Sequence, residues 1–176
     1  TNRRKNMSFE VQQKLAEDFL AMHFESEILL LAGAWDVSSA KVFELEGVKA
    51  IGTTSAGIAS SLGYADGEKM NLQDSLAVVT RIVNHCRVPV SADIEAGYTD
   101  SIEGIIESTQ AVIHSGAVGL NIEDSTGNTE SPLFDLATQV EKIKAIRHIY
   151  CYPSANCIYC IVKNRTEWFW DRGSCQ

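Results

Sequence analysis

Three acidic residues that follow two neighbouring apolar runs are the strongest sign of chemistry in this sequence. Asp93 and Glu95 come directly after residues 88–92, and Glu123 comes directly after residues 118–122. Asp93 and Glu95 are two positions apart and so point to one side of a strand, and Glu123 can converge on them. Carboxylates brought together repel unless a cation lies between them, and Mg2+ prefers oxygen ligands. We predict a magnesium site; the alternative is that these acids are solvated or cap the following helices.

A small, hydroxyl-rich segment at residues 53–57 follows the second apolar run. Backbone N–H groups in such a turn can bind a carboxylate or an oxyanion, and the alternative is an ordinary strand-to-helix connection. After the first run, Asp36 follows Trp35 and is interpreted as a helix N-cap or as an acid that supports the site. The four histidines lie near the ends of helical patterns, so we expect surface or packing roles. No histidine pair has the spacing of a zinc site.

Short apolar runs alternate along the chain with longer helical patterns. Runs that are nearly continuous in hydrophobicity are typical of strands buried on both faces, as in parallel sheets. The predicted strands cover residues 28–32, 48–52, 88–92, 118–122 and 158–162. Alternating strands and helices indicate an α/β protein, either an open doubly wound sheet or a barrel. No G-x-G-x-x-G motif follows the first strand, which weakens the nucleotide-binding version.

Helical spacing predicts the elements between the strands. The first helix is expected at residues 9–23, and another has Ser101 as its N-cap and Gly116 as its stop. One predicted apolar face contains Leu72, Leu76, Val79, Ile82, Val83 and Cys86. The last predicted face contains Leu136, Val140, Ile143 and Ile146. In parallel α/β folds, functional groups gather at the carboxyl ends of the strands, where the acids described above are placed.

Charge and composition exclude several functional classes. A formal net charge of −8 argues against nucleic-acid binding, which needs a basic surface. No stretch resembles a signal peptide or is long enough to span a bilayer, so we expect a cytoplasmic protein. Five cysteines without a secretory signal argue against a disulfide framework. Cys157 and Cys160 have the spacing of half a zinc site, but no second pair completes it, so we expect free thiols.

Five ordered motifs resemble the isocitrate lyase / phosphoenolpyruvate mutase superfamily, in its phosphonomutase-like branch. The motifs read GAWDVSSA from Gly33, GTTSAG from Gly52, LGYADG from Leu62, VSADIEAGY from Val90 and GLNIEDS from Gly119. The resemblance extends from about Leu30 to Arg147. Five motifs in the same order are far more specific than any one of them.

The resemblance implies a TIM-type (β/α) barrel that assembles as a homo-oligomer, usually a tetramer, with Mg2+ at the strand ends. It implies that Asp93 binds the metal most directly and that Glu95 and Glu123 hold it largely through waters. The substrate would be a small 2-oxo or enol carboxylate with its 2-oxygen on the metal. The implied catalytic residues are Asp66, beside the reacting centre on a mobile segment, and Arg165. The implied substrate-binding residues are Trp35, Thr54, Ser55, Ala56, Gly57 and Asp93.

The segment after the fourth strand departs from the superfamily pattern. The lyases carry a catalytic cysteine there and the mutases usually carry lysine and asparagine, whereas residues 125–132 contain neither cysteine nor lysine. Thr99 stands where glycine is frequent, and residues 163–167 read Lys-Asn-Arg-Thr-Glu where Asn-Ala-Arg-Thr-Asp is frequent. The sequence therefore leaves the reaction type open.

Chain length predicts an incomplete barrel. A full barrel takes about 250 residues, whereas this chain of 176 residues reaches only a fifth strand. We expect residues 1–148 to form the N-terminal part of the barrel domain and residues 149–176 to form a divergent tail with a candidate fifth strand. Unpaired edge strands would then require association with another chain or another copy.

The leading functional prediction is a magnesium-dependent enzyme that cleaves a carbon–carbon bond through an enolate. A metal and oriented hydrogen-bond donors stabilise the negative charge of such an intermediate. Two alternatives stay open: the phosphorus–carbon chemistry of a phosphoenolpyruvate phosphonomutase, and a catalytically inactive truncated barrel that only binds a ligand or self-associates.

Overall fold

Six strands and six helices make up the part of the chain that the structure describes. This computed structural model describes residues 8–150, 159–163 and 168–169, with side chains described for residues 8–149. The strands are β1 (Leu31–Ala34), β2 (Ala50–Thr53), β3 (Val90–Asp93), β4 (Gly119–Ile122), β5 (Tyr159–Lys163) and β6 (Trp168–Phe169). The helices are α1 (Phe9–Met22), α2 (Val37–Leu45), α3 (Ser55–Leu62), α4 (Leu72–His85), α5 (Ile102–His114) and α6 (Leu136–Tyr150).

Strands β1 to β5 form a parallel sheet in chain order. At least one helix lies between each strand and the next, as parallel neighbours require. This order is that of the wall of a (β/α) barrel, and it confirms the predicted TIM-type fold class. The described strands make up only part of such a barrel, as chain length predicted.

Strand β6 differs from the continuation that a barrel would need. It pairs antiparallel with β5 through Val162 with Phe169 and Lys163 with Trp168. Only residues 164–167 separate the two strands. A parallel crossover needs a dozen or more residues, whereas a short connection of this kind joins antiparallel strands. The sequence analysis did not predict this strand.

The strands begin one to three residues later in the chain than the predicted runs. The first strand was predicted at residues 28–32, whereas β1 begins at Leu31. Ile28 is 96% exposed and Leu30 is 67% exposed, so both precede the sheet although they are apolar. The fifth strand, predicted at residues 158–162, is confirmed to within one residue.

Two predicted helix caps are confirmed. The Asp36 side chain accepts the Ser39 N–H at 2.6 Å, and the Ser39 hydroxyl accepts the Asp36 N–H at 3.1 Å. This reciprocal pair is a capping box, which satisfies two donors at the start of α2. Ser101 caps α5 by accepting the Gly104 N–H at 3.0 Å. Of the two interpretations of Asp36, the structure therefore supports the N-cap.

The core between the sheet and its helices follows the predicted faces with one exception. The predicted face of α4 is buried from Leu76 onward, including the free thiol of Cys86. On α6, by contrast, Leu136 is 80% exposed and Val140 is also exposed, so the predicted apolar stripe is wrong at its beginning. The buried face of α6 instead carries Lys142, which is fully buried next to Ile146 on the same face. A lysine can occupy this position because its ammonium group contacts a backbone carbonyl and an aromatic ring.

Helix α1 lies across the amino ends of the strands. Its residues Ala16 and Phe19 form a small core with Ala50, the first residue of β2, and Val118, which precedes β4. The buried Gln12 side chain donates hydrogen bonds to two backbone carbonyls near the end of α5, at 2.9 Å and 3.0 Å. No helix in the described part of the chain is long and apolar enough to cross a membrane.

Candidate active site at the carboxyl ends of the strands

Asp93, the last residue of β3, connects three elements at the carboxyl edge of the sheet. Its Oδ2 accepts hydrogen bonds from the Ser55 hydroxyl at 2.9 Å and from the Ser55 N–H at 3.2 Å. Its Oδ1 accepts the Glu95 N–H at 3.2 Å, and the Asp93 N–H donates to the Thr53 hydroxyl at 2.9 Å. The Asp93 carboxylate is therefore fixed beside the first residue of α3.

Glu95 has an unusual backbone and a buried carboxylate. Its φ is 49°, a left-handed conformation that is rare outside glycine, and it is only 6% exposed. Its carboxylate accepts the Tyr98 hydroxyl at 3.0 Å and the Glu68 N–H at 2.6 Å. Burial raises the pKa of the Glu95 carboxyl despite these hydrogen bonds, and the nearby charges of Glu68 and Asp66 raise it further.

Glu123 lies next to these residues through the backbone. Its N–H donates to the Glu95 carbonyl at 2.6 Å, so the backbones of the acids after β3 and β4 are adjacent along the sheet edge. Within residues 8–150, however, no group of three or more histidine, cysteine, aspartate or glutamate side chains is arranged to hold a metal by itself. The Glu95 carboxylate faces Tyr98 and Glu68. The assignment of Mg2+ to Asp93, Glu95 and Glu123 stays a prediction.

The predicted carboxylate-binding segment is the start of α3. Thr54 is its N-cap, and the Thr54 hydroxyl accepts the Gly57 N–H at 3.3 Å. A Cβ atom added to Gly57 would lie 2.7 Å from Thr54 Cγ2 and 2.9 Å from Trp35 Cβ, so Trp35 packs directly against this helix start. Ala56 is exposed, whereas Ser55 is buried against Asp93. The structure thus brings the predicted substrate-binding residues into one region.

Asp66 lies in the connection between α3 and α4, whose residues 63–69 are all exposed before the buried Met70. Within this connection, the Glu68 carboxylate accepts the Tyr98 N–H at 2.7 Å and the Ala96 N–H at 3.1 Å. The connection is therefore attached to the segment that follows β3. Asp66 is close enough to raise the pKa of Glu95 by charge repulsion.

Lys142 of α6 is a buried cation that the sequence analysis missed. Its Nζ donates to the Ala96 carbonyl at 3.1 Å and lies 3.6 Å from the centre of the Phe134 ring, a cation–π contact. Burial lowers the pKa of Lys142, and the negative charges of Glu68 and Asp100 oppose that shift. The signal available from sequence was its spacing four residues before Ile146, on one helix face.

The segment after β4 contributes a second buried acid. Asp124 is buried, and its Oδ1 has no hydrogen-bond partner among the described residues. The Phe134 N–H donates to the Asp124 carbonyl at 2.8 Å, and Ser125 forms an isolated bridge with Leu133 that closes the intervening loop. Arg165, the second predicted catalytic residue, lies outside the described residues, as does Cys157, whereas the backbone of Cys160 lies in β5.

Buried parallel strands with acidic groups at their carboxyl ends are typical of (β/α)-barrel enzymes. A family model described as phosphoenolpyruvate phosphomutase matches residues 19–176, which is most of the chain. The chain therefore belongs to the phosphoenolpyruvate phosphomutase family, and the predicted resemblance is confirmed.

Individual relatives extend this family assignment. An uncharacterized protein of Mycobacterium tuberculosis is 36% identical over 129 residues, which are 73% of this chain and 47% of that protein. The 2-methylisocitrate lyase of Escherichia coli K12 is 31% identical over 100 residues, covering 56% of this chain and 34% of the lyase. The structure of 2,3-dimethylmalate lyase, a PEP mutase/isocitrate lyase superfamily member, has a TM-score of 0.74 and 26% identity over 89% of this chain and 53% of that one. This chain thus spans half or less of the length of the curated relatives it matches.

Proposed function

We propose that this chain is part of a magnesium-dependent enzyme that cleaves a carbon–carbon bond in a small 2-oxo or enol carboxylate through an enolate. One observation carries the proposal: the Asp93 carboxylate is hydrogen-bonded to Ser55, the first residue of α3. A candidate cation ligand and the positive end of a helix dipole are therefore side by side. A 2-oxo carboxylate can offer its 2-oxygen to the cation and its carboxylate to the start of the helix.

The residues present fit Mg2+ by the chemistry of their donor atoms. Asp93, Glu95 and Glu123 offer only oxygen, which suits a hard cation that keeps several waters. Asp93 would bind most directly, and Glu95 and Glu123 would act largely through waters, as the resemblance to the superfamily implies. When bound, Mg2+ would supply the positive charge that stabilises the enolate.

The start of α3 would bind the substrate carboxylate. Thr54 is its N-cap and Ser55, Ala56 and Gly57 begin its first turn, where backbone N–H groups favour an anion. Trp35 packs against Gly57 and would form a side wall of the substrate site. The remaining proposed catalytic residues are Asp66 and Arg165, of which Asp66 lies near Glu95.

The proposed step breaks the bond between the carbon next to the 2-oxo group and the following carbon, which carries a hydroxyl. The electron pair of that bond stays on the carbon next to the 2-oxo group and forms the enolate, while the hydroxyl-bearing carbon loses its hydroxyl proton and leaves as a carbonyl compound. The matched relatives with assigned names include a 2-methylisocitrate lyase, which favours carbon–carbon cleavage as the kind of reaction. The description of the matching family favours phosphorus–carbon chemistry as the second candidate.

The test of the site is metal-dependent stabilisation by oxalate, which resembles the enolate. The melting temperature of the wild-type chain should rise when Mg2+ and oxalate are present together, because a bound ligand stabilises the folded state. Asp93→Asn should abolish that rise, whereas Asp18→Asn, at an exposed position of α1, should retain it. An equal rise in Asp93→Asn and Asp18→Asn would overturn the site assignment.

Product analysis separates the candidate functions. Incubation with 4-hydroxy-2-oxopentanoate should release pyruvate and acetaldehyde if carbon–carbon cleavage is correct, whereas phosphonopyruvate should yield phosphoenolpyruvate if the phosphonomutase candidate is correct. Binding of Mg2+ and oxalate without either product would favour the non-catalytic alternative. We also propose that the chain works as a homo-oligomer.

A further inference from the structure

The backbone of Ala96 is held through both of its polar groups, the N–H and the carbonyl. The Ala96 N–H donates to the Glu68 carboxylate at 3.1 Å, and the Ala96 carbonyl accepts the Lys142 ammonium at 3.1 Å. The same Glu68 oxygen accepts the Tyr98 N–H at 2.7 Å. Residues from two elements distant in sequence, the α3–α4 connection and α6, thus fix the segment that directly follows Glu95.

Glu68 and Glu95 are linked by hydrogen bonds in both directions: the carboxylate of each accepts backbone N–H groups from the segment of the other. The Glu68 N–H donates to the Glu95 carboxylate at 2.6 Å, while the Glu68 carboxylate holds the two N–H groups that follow Glu95. Glu68, Glu95 and Tyr98 are the three non-glycine residues with positive φ in the described part of the chain. Such conformations persist only where the surroundings enforce them, so their concentration here marks a segment that is held in position.

Packing alone does not explain why the α3–α4 connection stays in place. Its residues 63–69 are exposed, and the buried residue nearest to Asp66 in sequence is Met70, four positions later. The hydrogen bonds of Glu68 are therefore its main attachment beside Glu95. Lys142 provides a buried positive charge at the carbonyl of Ala96, and Glu68 and Asp100 are close enough to it to act on its pKa.

We propose that Glu68 and Lys142 are positioning residues that set the orientation of Glu95 for the magnesium site, and that they couple metal binding to the position of residues 63–70. This inference rests on the proposed function. Binding of Mg2+ and oxalate requires Glu95 in its left-handed conformation, and Glu68 stabilises that conformation. By thermodynamic reciprocity, metal and oxalate must then stabilise the attachment of residues 63–70, which carry Asp66.

The chain offers matched variants for the test. Glu68→Ala removes the acceptor, whereas Glu68→Gln keeps an oxygen that can accept the N–H groups of Ala96 and Tyr98. Glu107→Ala, at an exposed position of α5, is the control for loss of a glutamate. Because Glu68 is on the surface, Glu68→Ala should fold, and the result does not depend on the buried Lys142→Met variant. For that variant the control is Lys144→Met, which changes an exposed lysine of the same helix.

The first readout is Mg2+ affinity in the presence of oxalate, measured by isothermal titration calorimetry. Groups that orient metal ligands typically contribute about 10-fold to 100-fold in affinity. Glu68→Ala and Lys142→Met should therefore weaken Mg2+ binding about 10-fold or more, and Glu68→Gln should restore most of the loss. Glu107→Ala and Lys144→Met should bind as wild type does. Wild-type affinity in Glu68→Ala would overturn the inference.

The second readout is amide hydrogen exchange at residues 63–70. Addition of Mg2+ and oxalate should slow exchange there in the wild-type chain and should leave it unchanged in Glu68→Ala. An unchanged rate in the wild-type chain, when calorimetry shows that the metal binds, would overturn the coupling while leaving the proposed function intact. Absence of Mg2+ binding to the wild-type chain would instead overturn the proposed function, and this inference with it.

Discussion

Replacing Gly57 with alanine tests the close packing at the start of α3. The added Cβ would lie 2.7 Å from Thr54 Cγ2 and 2.9 Å from Trp35 Cβ, distances that real side chains essentially never show. Trp35 Cβ is bonded directly to the backbone, and Thr54 Cγ2 belongs to a β-branched side chain that is stiff at χ1, so the backbone itself must move. Alanine improves helix propensity by about 1 kcal/mol, whereas overpacking costs about 1–3 kcal/mol. With the overpacking near the middle of its range, the substitution destabilises the fold by about 1 kcal/mol.

Thermal melting can detect this change. For a chain of this size, about 1 kcal/mol lowers the melting temperature by roughly 2–4 °C. The matched control is Gly33→Ala, whose Cβ would make only ordinary contacts of 3.6 Å with Thr54. Gly57→Ala should also reduce the stabilisation by Mg2+ and oxalate, because Trp35 and the first turn of α3 are displaced. A Gly57→Ala chain that melts at or above the wild-type temperature would refute the reasoning.

Three further predictions concern stability and assembly. Asp36→Ala removes the capping box of α2 and should destabilise the fold by about 1 kcal/mol. Hydrogen bonds from Ser39 lower the pKa of Asp36 in the folded chain, so this contribution is present above the unfolded pKa of about 3.9 and is lost as the pH falls through the lower folded pKa. The melting temperatures of wild type and variant should therefore converge in acid. Gln12→Ala leaves two backbone carbonyls without their donor and should lower the unfolding free energy in urea by about 1–3 kcal/mol, whereas Gln13→Ala, at an exposed position of the same helix, should not. The chain should sediment as an oligomer at micromolar concentration, because Ile28 and Leu45 are exposed and β1 is an edge of the described sheet.

Each of these expectations has an outcome that contradicts it. A constant difference between wild type and Asp36→Ala from neutral to acid pH would show that the cap contributes through its shape and not its charge. Equal urea midpoints for the two glutamine variants would show that the Gln12 hydrogen bonds add nothing to stability. A monomer with a cooperative melt would show that the exposed apolar residues need no partner.

Local patterns predicted the strands and the main helices for two reasons. A strand buried on both faces is a continuous apolar run, and a helix buried on one face has apolar residues at helical spacing. The same logic placed Asp93, Glu95 and Glu123 at neighbouring strand ends, and the backbone contact between Glu95 and Glu123 agrees with it. The patterns gave wrong predictions at apolar residues that are exposed in the structure. Ile28 and Leu30 precede β1 although they are apolar, and Leu136 is exposed on α6.

The arrangement within the site depended on contacts between residues far apart in sequence. Asp93 and Ser55 are separated by 38 positions, and Lys142 and Ala96 by 46, so no local spacing records either contact. The burial of Lys142 is compatible with folding only because a carbonyl and an aromatic ring receive its ammonium group. The sequence by itself determined the order of strands and helices and the residues at their ends, because these follow from periodicity and capping. Only the tertiary structure decided which backbone N–H groups the Glu68 carboxylate accepts and which carbonyl the Lys142 ammonium binds. The reason is that the partners of polar groups come from whichever elements the fold brings together.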